Sequence, residues 1–192
     1  MHFIINTAVG NHFCALFDAD KNLVAQHSWE INRRDGAEVF DFLEREKIHE
    51  KKIRFIGGVT GPGGFTSLRV SSSILNALSF KYDLPIHQIS APEWIVNFVG
   101  HDRFVLNCFG ETVWIHDSEA KNNLKRVNTT EAAEKFGDQA VFTHFLPASK
   151  KILFQQHAEV IEIELRKNLL EQLIQADTKN YFKAFYNVSP VG

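Results

Sequence analysis

Phe13-Cys14-Ala15-Leu16-Phe17-Asp18-Ala19-Asp20-Lys21-Asn22-Leu23-Val24-Ala25-Gln26-His27-Ser28-Trp29 reads as two strands folded back on each other. The apolar run 13–17 has the length of a buried strand, 18–22 is turn chemistry, and 23–29 returns as a strand. Phe3-Ile4-Ile5 just ahead is another short buried run, and three strands joined this tightly form an antiparallel meander. Asp35 then caps a helix whose stripe is Val39, Phe40 and Leu43. Residues 53–56 give a strand ending at Gly57-Gly58, 65–82 a second helix, and 85–89 a short fifth strand.

The order three strands, helix, strand, helix returns after Gly100. Residues 104–109 and 112–115 read as strands, with a weaker one at 124–127. Thr129-Thr130-Glu131 opens a helix with Glu131 and Glu134 at its positive end. A strand at 139–145 stops at Pro147, a long helix is expected near 149–175, and 181–188 reads as a last strand or an extended tail. The expectation is an α/β protein with a duplicated ribonuclease-H-like layout, two βββαβα halves as in the actin, sugar-kinase and Hsp70 group. The N-terminal half is 1–100 and a shortened C-terminal half is 101–192. The duplication rests on element order, since no residue-level repeat is visible.

Composition narrows the class. The 192 residues are 44% hydrophobic with 17 Phe, enough for one large core or two small ones. A net charge of −2, without a concentrated basic face, argues against a domain that holds nucleic acid alone. Cys14 and Cys108 sit in apolar runs and form no CxxC pair, which fits a reducing cytoplasm. No stretch has the length of a membrane span, and the first residues lack a basic leader.

Gly61-Pro62-Gly63-Gly64-Phe65-Thr66-Ser67-Leu68-Arg69 is the segment on which function turns. Glycine-rich backbone at a helix start can cradle a phosphate, with Thr7, Gly61, Gly63 and Gly64 as the candidate set. No Lys-Ser or Lys-Thr follows, so the glycines read better as a tight strand-to-helix turn. On the helix, Val70, Ile74, Ala77 and Leu78 form one side, expected to face the sheet. Phe65, Leu68, Ser72, Leu75 and Ser79 form another, which meets either a second helix of this chain or a different protein. If that second side is surface, Leu68→Glu leaves the monomer folded, whereas paired substitution at Val70 and Ile74 destabilises it.

The nine-residue run, with Leu84-Pro85-Ile86 and Ser90 beyond it, resembles the Gly-Pro-Gly-Ser-Phe-Thr-Gly-Leu-Arg segment of the TsaB (YeaZ) family. Gly110-Glu111 and the Tyr181-Phe182-Lys183-Ala184 stretch resemble that family more loosely. The resemblance implies a non-catalytic subunit that binds the catalytic subunit TsaD. With the ATPase TsaE, the pair supports threonylcarbamoylation of adenosine 37 in tRNA. It implies a helical bundle made by the two N-terminal helices with those of TsaD, or with a second copy (a homodimer) when TsaD is absent. The partner-binding set then becomes Val39, Phe40, Leu43, Phe65, Leu68, Arg69, Ser72, Leu75, Asn76 and Ser79. No cofactor is implied for this chain, ATP being bound by partner subunits, and tRNA is met only through the complex.

This sequence departs from the family where an enzyme would need charge. The first strand ends in Asn6-Thr7-Ala8, where relatives carry Asp-Thr-Ser, and the second half offers Asn107. An amide lacks the negative charge a hard cation prefers, so the alternative, a small nucleotide-binding ATPase or kinase of the same fold, is weakened. Gly64 and Ser67 replace the family's Ser and Gly. The nine histidines form no HExxH pattern, and His116-Asp117-Ser118 are adjacent on one strand end and so point apart.

Overall fold

A computed structural model describes residues 1–30, 35–99, 103–108, 110–117, 124–137, 141–143, 145–154, 157–158 and 162–184. Chain contacts divide it into two units, residues 1–91 with 163–192, and residues 92–162.

In the first unit, β1 (His2–Asn6), β2 (His12–Phe17) and β3 (Leu23–Trp29) form the expected meander, with His2 opposite Phe17 and His12 opposite Trp29. All six residues of β2 are buried, as suits an inner strand covered on both faces, whereas β3 alternates as a sheet edge does. After α1 (Asp35–Arg45), β4 (Phe55–Val59) lies parallel to β1. After α2 (Phe65–Tyr82), β5 (Ile86–Ile89) lies parallel to β4. Both helices cover the sheet face carrying Phe3, Ile5, Cys14, Leu16 and Ile56, and they add Val39, Phe42, Ile74, Leu75 and Leu78 to one core.

The second unit starts with α3 (Ala91–Val99), a helix that the sequence reading left unassigned. A second antiparallel meander follows, made by β6 (Arg103–Asn107), β7 (Thr112–Asp117) and β8 (Leu124–Asn128). Asn128 caps α4 (Thr129–Phe136), its side-chain oxygen accepting from the Thr130 amide. Next, β9 (Val141–Phe142) pairs parallel with β6; the ends of the expected 139–145 strand fall partly outside the described residues.

The helix expected near 149–175 is not continuous. It is α5 (Ala148–Lys151), then β10 (His157–Ala158) parallel to β9, then α6 (Glu162–Gln175). The amides of Leu153 and Phe154 turn back to Lys150 and Lys151 carbonyls, which drops Phe154 into the core in place of another helical turn. The last strand, β11 (Thr178–Lys179), precedes the predicted 181–188, whose final residues lie outside those described, and it pairs antiparallel with β5.

The sheet orders are β11-β5-β4-β1-β2-β3 and β10-β9-β6-β7-β8. With β11 set aside, the two are the same arrangement, an antiparallel meander extended by two parallel strands on the side of its first strand. This is the duplicated ribonuclease-H-like fold. Residues 163–184 return to the first unit, so the contact division differs from the simple split at residue 100.

Candidate functional site

The glycine turn is packed, not open. Gly61, Pro62 and Gly63 are buried, and a Cβ on Gly63 would come within 2.9 Å of the Ala8 backbone. Gly61 has φ +123°, a conformation open to glycine. Asn6 shapes the facing turn, its Oδ1 accepting from the amides of Ala8 (3.1 Å) and Val9 (3.3 Å) while Nδ2 donates to Val9 O (2.8 Å). Thr7 is fully buried; its hydroxyl donates to Ser67 O at 2.7 Å and also pairs with the Ser71 hydroxyl. Of the four residues proposed for a phosphate, Gly64 alone is exposed.

The corresponding strand end of the second unit is filled by the chain itself. The Lys150 ammonium donates to Asn107 Oδ1 (2.8 Å), Cys108 O (3.2 Å) and Thr112 O (2.8 Å). Burial holds this amine below its ordinary pKa, with Glu111 and Cys108 acting in the opposite direction. Among the described residues, no group of three His, Cys, Asp or Glu is placed to hold a metal ion.

The inward face of α2 draws on both expected sides: Ile74 and Leu78 face the core as expected, whereas Ala77 and Val70 do not lie fully inside. Leu68 and Leu75 are fully buried and are core residues, not surface; Ser67, Ser71, Ile74 and Leu78 complete the inward face. Gly58 and Gly63 make room for the two leucines, since a Cβ at Gly58 would lie 2.9 Å from Leu75 Cδ1 and one at Gly63 3.2 Å from Leu68 Cδ1. Ala77, assigned to the sheet, is exposed, and Val70 is half-buried. On α1, Val39 and the unforeseen Phe42 are buried and Leu43 packs against the core, whereas Phe40 is 60% exposed.

Other predicted partner residues are engaged within the chain. Asn76 accepts from the Phe182 amide at 3.0 Å and donates to Ser72 Oγ at 3.3 Å. The Ser79 hydroxyl donates to Leu84 O at 2.6 Å, closing the end of α2.

A hollow of about 570 Å³ is lined by Asn76, Ser79, Phe80 and Leu84, and a separate groove of about 350 Å³ lies between α1 and α2. Phe40 stands on one wall and Phe65, Arg69 and Val70 on the other, with Gly36, Thr66, Ser73 and Ile74 completing the lining. The Arg69 guanidinium lies 5.1 Å from the Phe65 ring centroid, a cation–π contact that pre-orients it. A further hollow continues between the helices at Leu43, Glu44, Leu78 and Lys81. Of the predicted set, Phe40, Phe65 and Arg69 meet in the groove and Leu43 lines the hollow that continues it. Sequence reading missed Gly36, Thr66, Val70, Ser73 and Ile74. Ser73 closes the run Ser71-Ser72-Ser73, but its direction depends on the true inward face of α2.

The apolar groove between α1 and α2, with one cation at its rim, is carried by an actin-like, ribonuclease-H-like fold. The structure is similar to YeaZ from Pseudomonas aeruginosa, with a TM-score of 0.57 and 13% identity over 93% of this chain and 95% of that one. It is also similar to a protein of the same organism described as uncharacterized, with similarity to peptidase YEAZ (TM-score 0.57, 14% identity, 94% and 95% covered). No protein-family model matches the sequence, and no curated protein matches it. The fold is YeaZ-like.

Proposed function

We propose that this chain is a TsaB-like accessory subunit that docks a TsaD-like catalytic subunit through the α1–α2 face and supports threonylcarbamoylation of adenosine 37 in tRNA. The observation that carries the reading is the groove between α1 and α2, with Phe40 exposed at its wall. An apolar groove between two helices is a shape that takes the apolar face of a partner helix. The YeaZ-like fold over most of the chain supports the same reading. So does the closure of both strand ends, where Asn6, Thr7 and Lys150 spend their polar groups inside the chain. The chain contributes docking, and ATP and tRNA are handled by the catalytic subunit and a TsaE-like ATPase.

The test is direct binding to the TsaD-like subunit of the same organism, measured by calorimetry with wild type and with Ser73→Arg. Ser73 is exposed on the groove, so the variant stays folded while its long side chain fills the trough. A complex with Kd of about 1 µM or tighter, weakened about 100-fold by Ser73→Arg, is expected for a standard-size interface with an apolar centre. Absence of a complex, together with magnesium-dependent ATP turnover by the isolated chain, overturns the reading.

A further inference from the structure

The Lys150 ammonium is placed as a bound ion would be. It is buried, and its three N–H donors meet three oxygens: Asn107 Oδ1 at 2.8 Å, Thr112 O at 2.8 Å and Cys108 O at 3.2 Å. Amide and carbonyl oxygens only accept. A neutral amine, with two N–H groups and a lone pair, would turn that lone pair on one of them. The cage therefore holds the charged form against the burial that opposes it, with the Glu111 charge acting on the same side as the cage. All three oxygens are uncharged, which suits a cation of single charge and not a hard divalent ion, whose sites are built from carboxylates.

The contacts radiate from this point through the second unit. Thr112 O also accepts from the Cys108 amide at 3.2 Å, tying the start of β7 to the end of β6. Glu111 O accepts from the Thr129 amide at 2.9 Å and the Thr129 hydroxyl at 2.8 Å, where α4 begins. One ammonium thus joins α5 to the β6–β7 strand end and, through Glu111 and Thr112, to the start of α4.

We propose that the end of β6 and β7 is a monovalent-cation site of three neutral oxygens, and that Lys150 is its resident cation, supplied by α5. Because the ammonium is carried on the same chain, its binding is intramolecular and needs no dissolved ion. The ligand class of the site is a small singly charged cation: a primary ammonium that donates to all three oxygens, or potassium that coordinates them.

Chemical rescue of the full chain tests this. Lys150→Ala should lower the urea midpoint by about 1 M in choline chloride, whose quaternary cation is too bulky to enter the cage. Trp94 and Trp114, both in this unit, report the transition by fluorescence. Ammonium, ethylammonium or potassium in place of choline, at equal ionic strength, should raise that midpoint saturably. About half of the loss should return at about 300 mM, beyond any shift the wild type shows in the same salts. Adding Asn107→Ala should remove the rescue, since one of the three oxygens is then gone. A Lys150→Ala chain as stable as wild type, or one that follows wild type through every salt, overturns the proposal. In the wild type itself, proton–nitrogen correlation spectra at neutral pH should show one lysine ammonium in slow exchange with water, missing in Lys150→Arg. That signal decides the case in which Lys150→Ala folds in none of the salts, and its absence from wild type overturns the proposal.

Discussion

His87 shows how single residues couple this fold to its solvent. Its ring stacks on Phe55 at 4.2 Å between centroids, and Nδ1–H donates to Leu173 O at 3.0 Å. Burial lowers its pKa below the ordinary 6.5 and outweighs the carbonyl, which acts in the opposite direction. His2 is lowered by burial first and by the adjacent N-terminal ammonium second. Both folded-state values lie below the unfolded one, so on acidification the unfolded chain takes up protons that the folded chain refuses. Their contribution to stability is therefore complete above pH 6.5 and is lost as pH falls through and below that value. The urea midpoint should drop between about pH 7.5 and about pH 5.5, and the drop should be smaller in His87→Gln. A midpoint that is flat in wild type, or a slope unchanged in the variant, would show that His87 is not held neutral by its surroundings. At the same scale, Asn6 and Asn107 were legible as amides where an enzyme of this fold needs carboxylates. That an ammonium from a residue 43 positions away would fill the second strand end was not, because the contact exists only once α5 has folded.

For α2, the sequence located the element but not its orientation. The bounds 65–82 follow from the glycine turn before it and the Leu84-Pro85 step after it, and the helix occupies them. Its inward face was read only in part, Ile74 and Leu78 but not Leu68 and Leu75, because helical periodicity gives the angle between residues, not the direction of the sheet. Hydrophobicity gave no answer either, with serines at 67 and 71 inside and alanine at 77 outside. The direction is set by Gly58 and Gly63, which admit Leu75 and Leu68, and such cross-element niches cannot be read from one helix alone. Leu68→Ala and Leu75→Ala should each cost about 2–5 kcal/mol in chemical unfolding, the range for emptying a well-packed leucine site. Leu68→Glu should prevent stable folding of the monomer, the opposite of what a surface assignment demands. Val70→Ala, on the half-buried flank, should cost no more than about 1 kcal/mol. If Leu68→Glu remains folded and monomeric, the burial of this face is wrong.

Across the whole molecule, two repeated sheets were visible as repeated element order, yet the chain does not close its units in sequence order. The first unit is completed by residues from the far end. Leu169, Leu170 and Leu173 of α6 are buried, and Leu173 Cδ1 would lie 3.1 Å from a Cβ on Gly57, on the sheet face opposite Gly58 and α2. Arg166 reaches Gln26 (2.6 Å) and Ser28 (2.7 Å) on β3 and lies over Phe13. Beyond α6, β11 covers the β5 edge, Phe182 enters the core, and Gln88 bonds the backbone of Tyr181 and Lys183. Without them the β5 edge and the part of the sheet face around Gly57 and Phe13 would lose their cover. No local pattern announces this return, because an amphipathic helix near the chain end packs equally well on either sheet. A fragment of residues 1–100, the half that element order alone would define, should therefore be aggregation-prone or molten, with little near-ultraviolet dichroism. Supplying residues 162–192 as a separate peptide should restore a cooperative unfolding transition, since the missing face and edge are then covered. Should the 1–100 fragment unfold cooperatively by itself, with a midpoint near that of the full chain, α6 and the strand after it are dispensable to the first unit. The α1–α2 face would then be supported by its own half alone.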